Sequence, residues 1–201
     1  MRRSTIAALL LVALGCSRAI TPPLTIKSVR DLGPVRSLVV LPARASPTIA
    51  GDAAAQAPAA ISQMLLDAAA RERQWTLVSA DRSEQSKLAA DSQEARAGEI
   101  AARLHADATV TATIATYRER VGSAYGVTEP ASVSLQVLLV RAGEKQAVWR
   151  ADYTQTQEPL AYNLLNLWGV TRDGPKWLAA DDLARIGVDE AVRRLAAATT
   201  R

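Results

Sequence analysis

Phenylalanine is absent from this 201-residue chain, and cysteine and histidine occur once each. A lone cysteine, Cys16, leaves no partner for an internal disulfide, so an oxidising compartment would neither strengthen nor weaken the fold. A lone histidine, His105, has no second imidazole or thiolate to share a metal with, which argues against the common zinc ligand sets. With aromatics at 4% of residues, the core has to be filled by Leu, Val, Ile and the many alanines. Three motifs are also missing: Gly-x-Ser-x-Gly, Gly-x-Gly-x-x-Gly and the phosphate-binding loop. Neither a nucleophile elbow nor a nucleotide cradle therefore has sequence support, and no cofactor is expected. There is no basic run and no aromatic ladder. The arginines are interspersed with Asp and Glu, so nucleic acid is not an expected partner.

Long apolar runs are scarce too. Beyond the first sixteen residues none approaches the length of a membrane-spanning helix. That start is informative: Arg2 and Arg3 form a basic n-region, Ile6 to Leu14 a short apolar h-region, and Ala13-Leu14-Gly15-Cys16 closes it. The arrangement resembles the signal peptide and lipobox of bacterial lipoprotein precursors. The resemblance implies a signal peptide over 1–15, alkylation of the Cys16 thiol by a diacylglyceryl group, and acylation of the new amino terminus. Three acyl chains, at about 0.8 kcal/mol per buried methylene, hold a protein on its membrane permanently. Ser17 stands where an aspartate would favour the inner membrane in enterobacterial sorting, so the expected location is the periplasmic face of the outer membrane. Cleavage would remove Arg2 and Arg3 and lower the formal charge from +4 to +2.

Residues 16–34 carry Pro22-Pro23 and Gly33-Pro34 and read as a lipidated N-terminus with a flexible linker. Residues 35–201 suffice for a single α/β domain. Leu38-Val39-Val40-Leu41, stopped by Pro42, reads as a strand buried on both faces. From about Asp52 to Arg73 the residues Ala57, Ile61, Met64, Leu65 and Ala68 fall at helical spacing, with Pro58 in the first turn or at a kink. Trp75 to Ser79 reads as a second strand, and Ser83 to His105 as one or two helices with Leu88, Ile100 and Leu104 facing inward. The period then changes. Ala108 to Ile114, Val133 to Leu139 and Trp149 to Tyr153 alternate apolar with polar residues and read as three strands, the last two a hairpin. Val121 to Pro130 reads as an exposed loop. Helical periodicity returns at Leu160, Leu164, Leu165 and Trp168, breaks at Gly169 to Pro175, and resumes from Asp181 to Ala197. The expected fold is a mixed-sheet sandwich in β-α-β-α-β-β-β-α order.

Val39-Val40-Leu41-Pro42, Ala106-Asp107-Ala108-Thr109-Val110 and Val148-Trp149-Arg150-Ala151 resemble a domain shared by several envelope proteins. These are the curli-secretion-channel lipoproteins, the amino-terminal domain of the Tol translocation protein, and the lipoprotein activators of penicillin-binding proteins. A second set is similar to an uncharacterised group of bacterial outer-membrane lipoproteins: Tyr117-Arg118-Glu119-Arg120, Tyr125-Gly126-Val127, Pro130-Ala131-Ser132-Val133, Thr156-Gln157-Glu158-Pro159-Leu160, Asn163-Leu164-Leu165 and Lys176-Trp177-Leu178. The first resemblance implies a binding or assembly role in secretion, transport or peptidoglycan synthesis. It does not imply a pore, because the hairpin loops here are short.

Arg118, Glu119 and Arg120 end a strand, and alternation sends the two arginines to one face and Glu119 to the other. One reading is a solvated strand end with local ion pairs, worth under about 1 kcal/mol each. The other joins the triplet to Tyr125 and to the loop around Gln155, Gln157 and Glu158 as a recognition surface, while Trp168 and Trp177 flank the loop from Gly169 to Pro175, where their indoles either lid the core or present a docking site. The leading expectation is a non-enzymatic lipoprotein, anchored through Cys16, that binds an envelope protein or itself. The competing expectation is an envelope hydrolase or small-ligand-binding lipoprotein using Glu119, Glu158 and His105.

Overall fold

The computed structural model describes residues 23–28, 32–49, 52–79, 92–157, 170–171, 174–175 and 177–200. Cys16, Glu158 and Trp168 lie outside them, as do the signal peptide and the helical pattern over 160–168. The elements run β1 (Leu24–Ser28), β2 (Ser37–Val40), β3 (Arg44–Ala45), α1 (Asp52–Arg71), β4 (Thr76–Val78), α2 (Gln93–Arg103), β5 (Ala108–Arg118), β6 (Val121–Gly122), β7 (Val127–Glu129), β8 (Ser132–Arg141), β9 (Trp149–Thr156), β10 (Val170–Thr171), β11 (Gly174–Pro175) and α3 (Ala180–Thr199). The strand and helix order follows the expected α/β plan.

Seven strands form one mixed sheet in the order β1-β9-β8-β5-β2-β4, with β3 continuing beside β5. β2, β3 and β4 are in the parallel part with β5, and β5, β8, β9 and β1 are antiparallel. The apolar halves of the alternating strands share one face. Val110, Ile114, Val133, Leu135, Leu139, Trp149 and Tyr153 are buried there against Ile61 and Leu65 of α1 and Val188 and Leu195 of α3. On the opposite face α2 packs Ala97 and Ile100 over Val39, Leu41 and Val140. The two crossovers explain this layering: α1 joins β2 to β4 over one face, and α2 returns from β4 to β5 over the other. No helix among the described residues is long and apolar enough to cross a membrane.

Asp107 ties the starts of β2 and β5. Its Oδ2 accepts from the Arg36 N–H at 2.7 Å and the Ser37 N–H at 2.9 Å, and its own N–H donates to Ser37 Oγ at 2.9 Å. Those two backbone donors, Ser37 first and Arg36 second, pull the carboxyl below its ordinary pKa, with Arg141 adding attraction.

The structure differs from the sequence reading in two places. Part of the segment read as a flexible linker is ordered: Leu24–Ser28 pairs antiparallel with β9, and Leu32 is buried. Arg141 holds the following chain by donating to the carbonyls of Leu32 and Pro34. Five residues between two proline-bearing stretches are too few to show a period, and the hydrogen bonds come from β9. The segment read as an exposed loop instead forms a short ribbon, β6 with β7. At Gly122, φ is +122°, and a Cβ would lie 2.5 Å from the Gly126 carbonyl oxygen, so only glycine closes the ribbon.

Candidate functional site

The carboxyl end of β5 meets the amino terminus of α3. The helix begins after Ala179, a residue with no side-chain acceptor for the exposed N–H groups of a first turn. Acceptors come instead from Glu119 and Gln157, brought in from other elements, and from Asp182 of the helix itself. Glu119 Oε2 accepts from the Ala180 N–H at 3.1 Å, Asp182 Oδ2 from the Ala179 N–H at 3.2 Å, and Gln157 Oε1 from the Leu178 N–H at 2.6 Å. Negative charge at this end also complements the helix dipole.

Around this cap the remaining contacts converge. The Tyr117 hydroxyl donates to Asp181 Oδ1. Burial, then that bond and the surrounding carboxylates, push the Tyr117 hydroxyl well above the ordinary tyrosine range, so it stays a proton donor. Arg120 Nη1 donates to the Trp177 carbonyl at 2.8 Å, and the Trp177 N–H donates to the Ala124 carbonyl at 2.8 Å. The β6–β7 ribbon is thus pinned to the entry of α3. Its turn is closed by Ser123: the N–H donates to the Gly126 carbonyl at 2.9 Å, and the Oγ accepts from Tyr125 and Gly126 N–H groups at 3.2 Å each. Tyr125 at the tip is 73% exposed, and Val121 at the base is 53% exposed.

The structure therefore brings Glu119, Arg120, Gln157 and Trp177 into one cluster and places Tyr125 on the ribbon that the cluster holds. Arg118 is exposed and makes no hydrogen bond with them. Of the two sequence readings of the triplet, the geometry adds something neither contained: Glu119 is a helix cap reaching across 61 positions, and Arg120 braces a loop. Sequence spacing carries no signal for such bonds, because both acceptors and donors on the partner side are backbone atoms.

His105 is placed elsewhere. It adopts φ +53° just after α2, with its N–H donating to the Ala102 carbonyl at 3.3 Å and the Ala106 N–H to the Ala101 carbonyl at 2.9 Å. This is the helix-ending geometry that usually takes glycine. His105 precedes β5 and Glu119 follows it, so an eleven-residue strand, about 33 Å of chain, separates them. Among the described residues no group of His, Cys, Asp or Glu is placed to hold a metal.

A cleft of about 40 Å³ opens near the carboxyl end of β2, beside the first turn of α2. Arg44, Gln93, Arg96 and Thr111 give it polar walls, and Leu41 and Ile100 an apolar floor. Gln93 is fixed there by a 3.2 Å bond from its Nε2 to Thr111 Oγ1.

No protein-family model and no curated protein matches the chain. Solved structures do resemble it. PelC from Paraburkholderia phytofirmans, solved as a dodecamer, aligns with a TM-score of 0.53 at 12% identity, covering 89% of this chain and 97% of that one. The protein CT253 from Chlamydia trachomatis aligns with a TM-score of 0.48 at 14% identity, covering 83% and 98%. Lipoprotein GNA1162 from Neisseria meningitidis aligns with a TM-score of 0.39 at 16% identity, covering 68% and 99%. The PelC likeness extends over almost the whole of both chains and is one of fold.

Proposed function

We propose that the chain is a cell-envelope lipoprotein, anchored through Cys16 in the periplasmic leaflet of the outer membrane, whose domain works by binding rather than catalysis and binds first to further copies of itself. The observation that carries the reading is Tyr125. A large amphipathic side chain, 73% exposed, stands on a ribbon whose backbone is bonded to the entry of α3, so little conformational entropy is lost when it docks. The exposed Val121 adds apolar area beside it.

Two further features support the reading. β1 and β4 end the sheet among the described residues, and each offers a line of backbone groups to another strand. PelC, whose fold is similar, was solved as a dodecamer. Lipid tethering would confine copies to one surface and raise their effective concentration, so weak contacts suffice. A non-enzymatic role accords with the distance along β5 between His105 and Glu119. The resemblance to secretion, transport and peptidoglycan-synthesis lipoproteins suggests that the assembly serves one of those processes.

The test is light scattering on the full chain extracted in a non-ionic detergent, beside Tyr125→Asp. The expected result is an oligomer for the native chain and dissociation in the variant, with unchanged melting. A native chain that stays monomeric as concentration rises would end the self-association reading. Membrane fractionation of Cys16→Ala tests the anchor separately: the expected result is loss from the membrane fraction, and full retention there would count against lipidation.

A further inference from the structure

The cleft beside α2 carries charge that the protein leaves unused. Among the described residues, neither Arg44 nor Arg96 makes an ion pair or a side-chain hydrogen bond, and none of those lining the cleft carries a carboxylate. Arg96 Nε is shut off from solvent and has no acceptor. A buried donor left unsatisfied is costly and uncommon in folded proteins. The one acidic residue in the first turn of α2, Glu94, is engaged on the other side: its oxygens accept from the Ala147 N–H at 2.9 Å and from Arg150 Nη2 at 3.0 Å. Glu94 therefore does not neutralise the two arginines.

Position reinforces the charge. In α/β sheets, ligands collect beyond the carboxyl ends of parallel strands, where successive crossovers leave in opposite directions. Here α1 departs over one face and α2 returns over the other, and the cleft lies on the α2 face, at the carboxyl end of β2 beside β5. Leu41 and Ile100 form a floor of low polarity, which strengthens any charge interaction above it.

We propose that this cleft binds a phosphate-class oxyanion, held by the guanidinium groups of Arg44 and Arg96 with Gln93 and Thr111 as polar neighbours. Guanidinium forks match tetrahedral oxyanions, and two of them balance a dianion where a carboxylate would leave one charge over. The volume sets the scale: about 40 Å³ suits a single head group and excludes a whole nucleotide or sugar chain. The group is therefore free phosphate or the phosphate end of a larger molecule such as a lipid.

The experiment is calorimetric titration of the full chain in non-ionic detergent with inorganic phosphate, at constant ionic strength and against chloride. It is repeated on Arg44→Gln and Arg96→Gln, and on vesicles containing phosphatidylglycerol. Arg44 is exposed, so Arg44→Gln keeps the test valid if Arg96→Gln misfolds. The expected result is phosphate binding that weakens at least about tenfold in each variant, the loss of one charge-assisted contact. Arginine-dependent binding to the vesicles without binding of inorganic phosphate would support the site and assign the group to a lipid. Binding of neither probe, or binding that both variants retain, would overturn the proposal.

Discussion

One face of the sheet is covered by α1 and α3, which bury Ile61, Leu65, Val188 and Leu195 over an apolar surface running from Val110 to Tyr153. The other is covered by α2, whose smaller apolar cluster buries Val39, Leu41, Ala97, Ile100, Ala106 and Val140, with Val78, Leu104 and Ala147 at its margin. There, polar bonds do much of the holding. Thr109 Oγ1 donates to the Ala97 carbonyl at 2.6 Å, Gln93 reaches Thr111, and Glu94 takes the Ala147 N–H and Arg150. The β8–β9 turn is also held backbone to backbone, with the Gly143 N–H donating to the Gly98 carbonyl at 3.0 Å. Non-directional burial stabilises in proportion to area, whereas directional bonds fix position and yield less net free energy. The first layer should therefore carry global stability, and the second should set where α2, and with it Arg96, stands.

Truncating one side chain in each layer gives the largest effect. Leu65 is fully buried between helix and sheet, and Leu65→Ala is expected to cost about 3 kcal/mol from lost transfer energy and the cavity. Ile100→Ala, in the smaller cluster, is expected to cost about 2 kcal/mol and to open α2 locally before the domain unfolds. Denaturant titration reads the first quantity and hydrogen exchange of α2 amides the second. Equal costs with no local opening of α2 would remove the distinction between the layers.

The glycines sharpen it next. A Cβ on Gly187 would meet the Tyr153 ring at 2.4 Å, and one on Gly98 would meet the Glu144 carbonyl oxygen at 1.9 Å. The first obstacle is a packed side chain; the second is backbone that cannot turn aside. Overpacking of this kind costs about 1–3 kcal/mol, and alanine returns about 1 kcal/mol of helix propensity. Because its obstacle is backbone, Gly98→Ala is expected at the upper end of that range, a net loss of about 2 kcal/mol, and is expected to shift amide resonances of residues 142–147. Unchanged resonances there would mean that α2 does not rest on the hairpin turn.

The same contrast explains what could be read from the sequence. Burial on the α1/α3 face leaves a periodic mark, so β5, β8, β9, α1 and α3 were legible in the spacing of Val110, Leu135, Trp149, Leu65 and Val188. Contacts to backbone leave none. Glu119 looks like one member of an Arg-Glu-Arg triplet until the fold brings the Ala180 N–H to it. The edge strand β1 and the β6–β7 ribbon are too short for a period, and both depend on the partner strand. Of the candidate surface, the exposed Tyr125 was legible as a loop aromatic; the cleft was not, since Arg44 and Arg96 are separated by 52 positions and belong to no motif.

Asp107 belongs to neither layer, and so serves as the control for the comparison. It joins β2 to β5 within the sheet, and its carboxyl is held below the ordinary value of 3.8 chiefly by the Ser37 and Arg36 N–H groups. A carboxyl whose folded pKa is depressed binds a proton less readily in the folded state than in the unfolded one. Its contribution is thus fully present above the unfolded value and is lost as pH falls through the lower, folded one. Asp107→Asn keeps one acceptor but loses the charge, and is expected to cost about 1 kcal/mol at neutral pH, since the group is partly solvated. Denaturant titrations of both chains should then converge as the pH drops below about 4. Leu65→Ala, which removes no charge, should stay less stable than the native chain by the same margin throughout. A difference for Asp107→Asn that is equally constant would show that the bonds to Arg36 and Ser37 act as neutral geometry, and that the charge on Asp107 contributes nothing to joining the two strands.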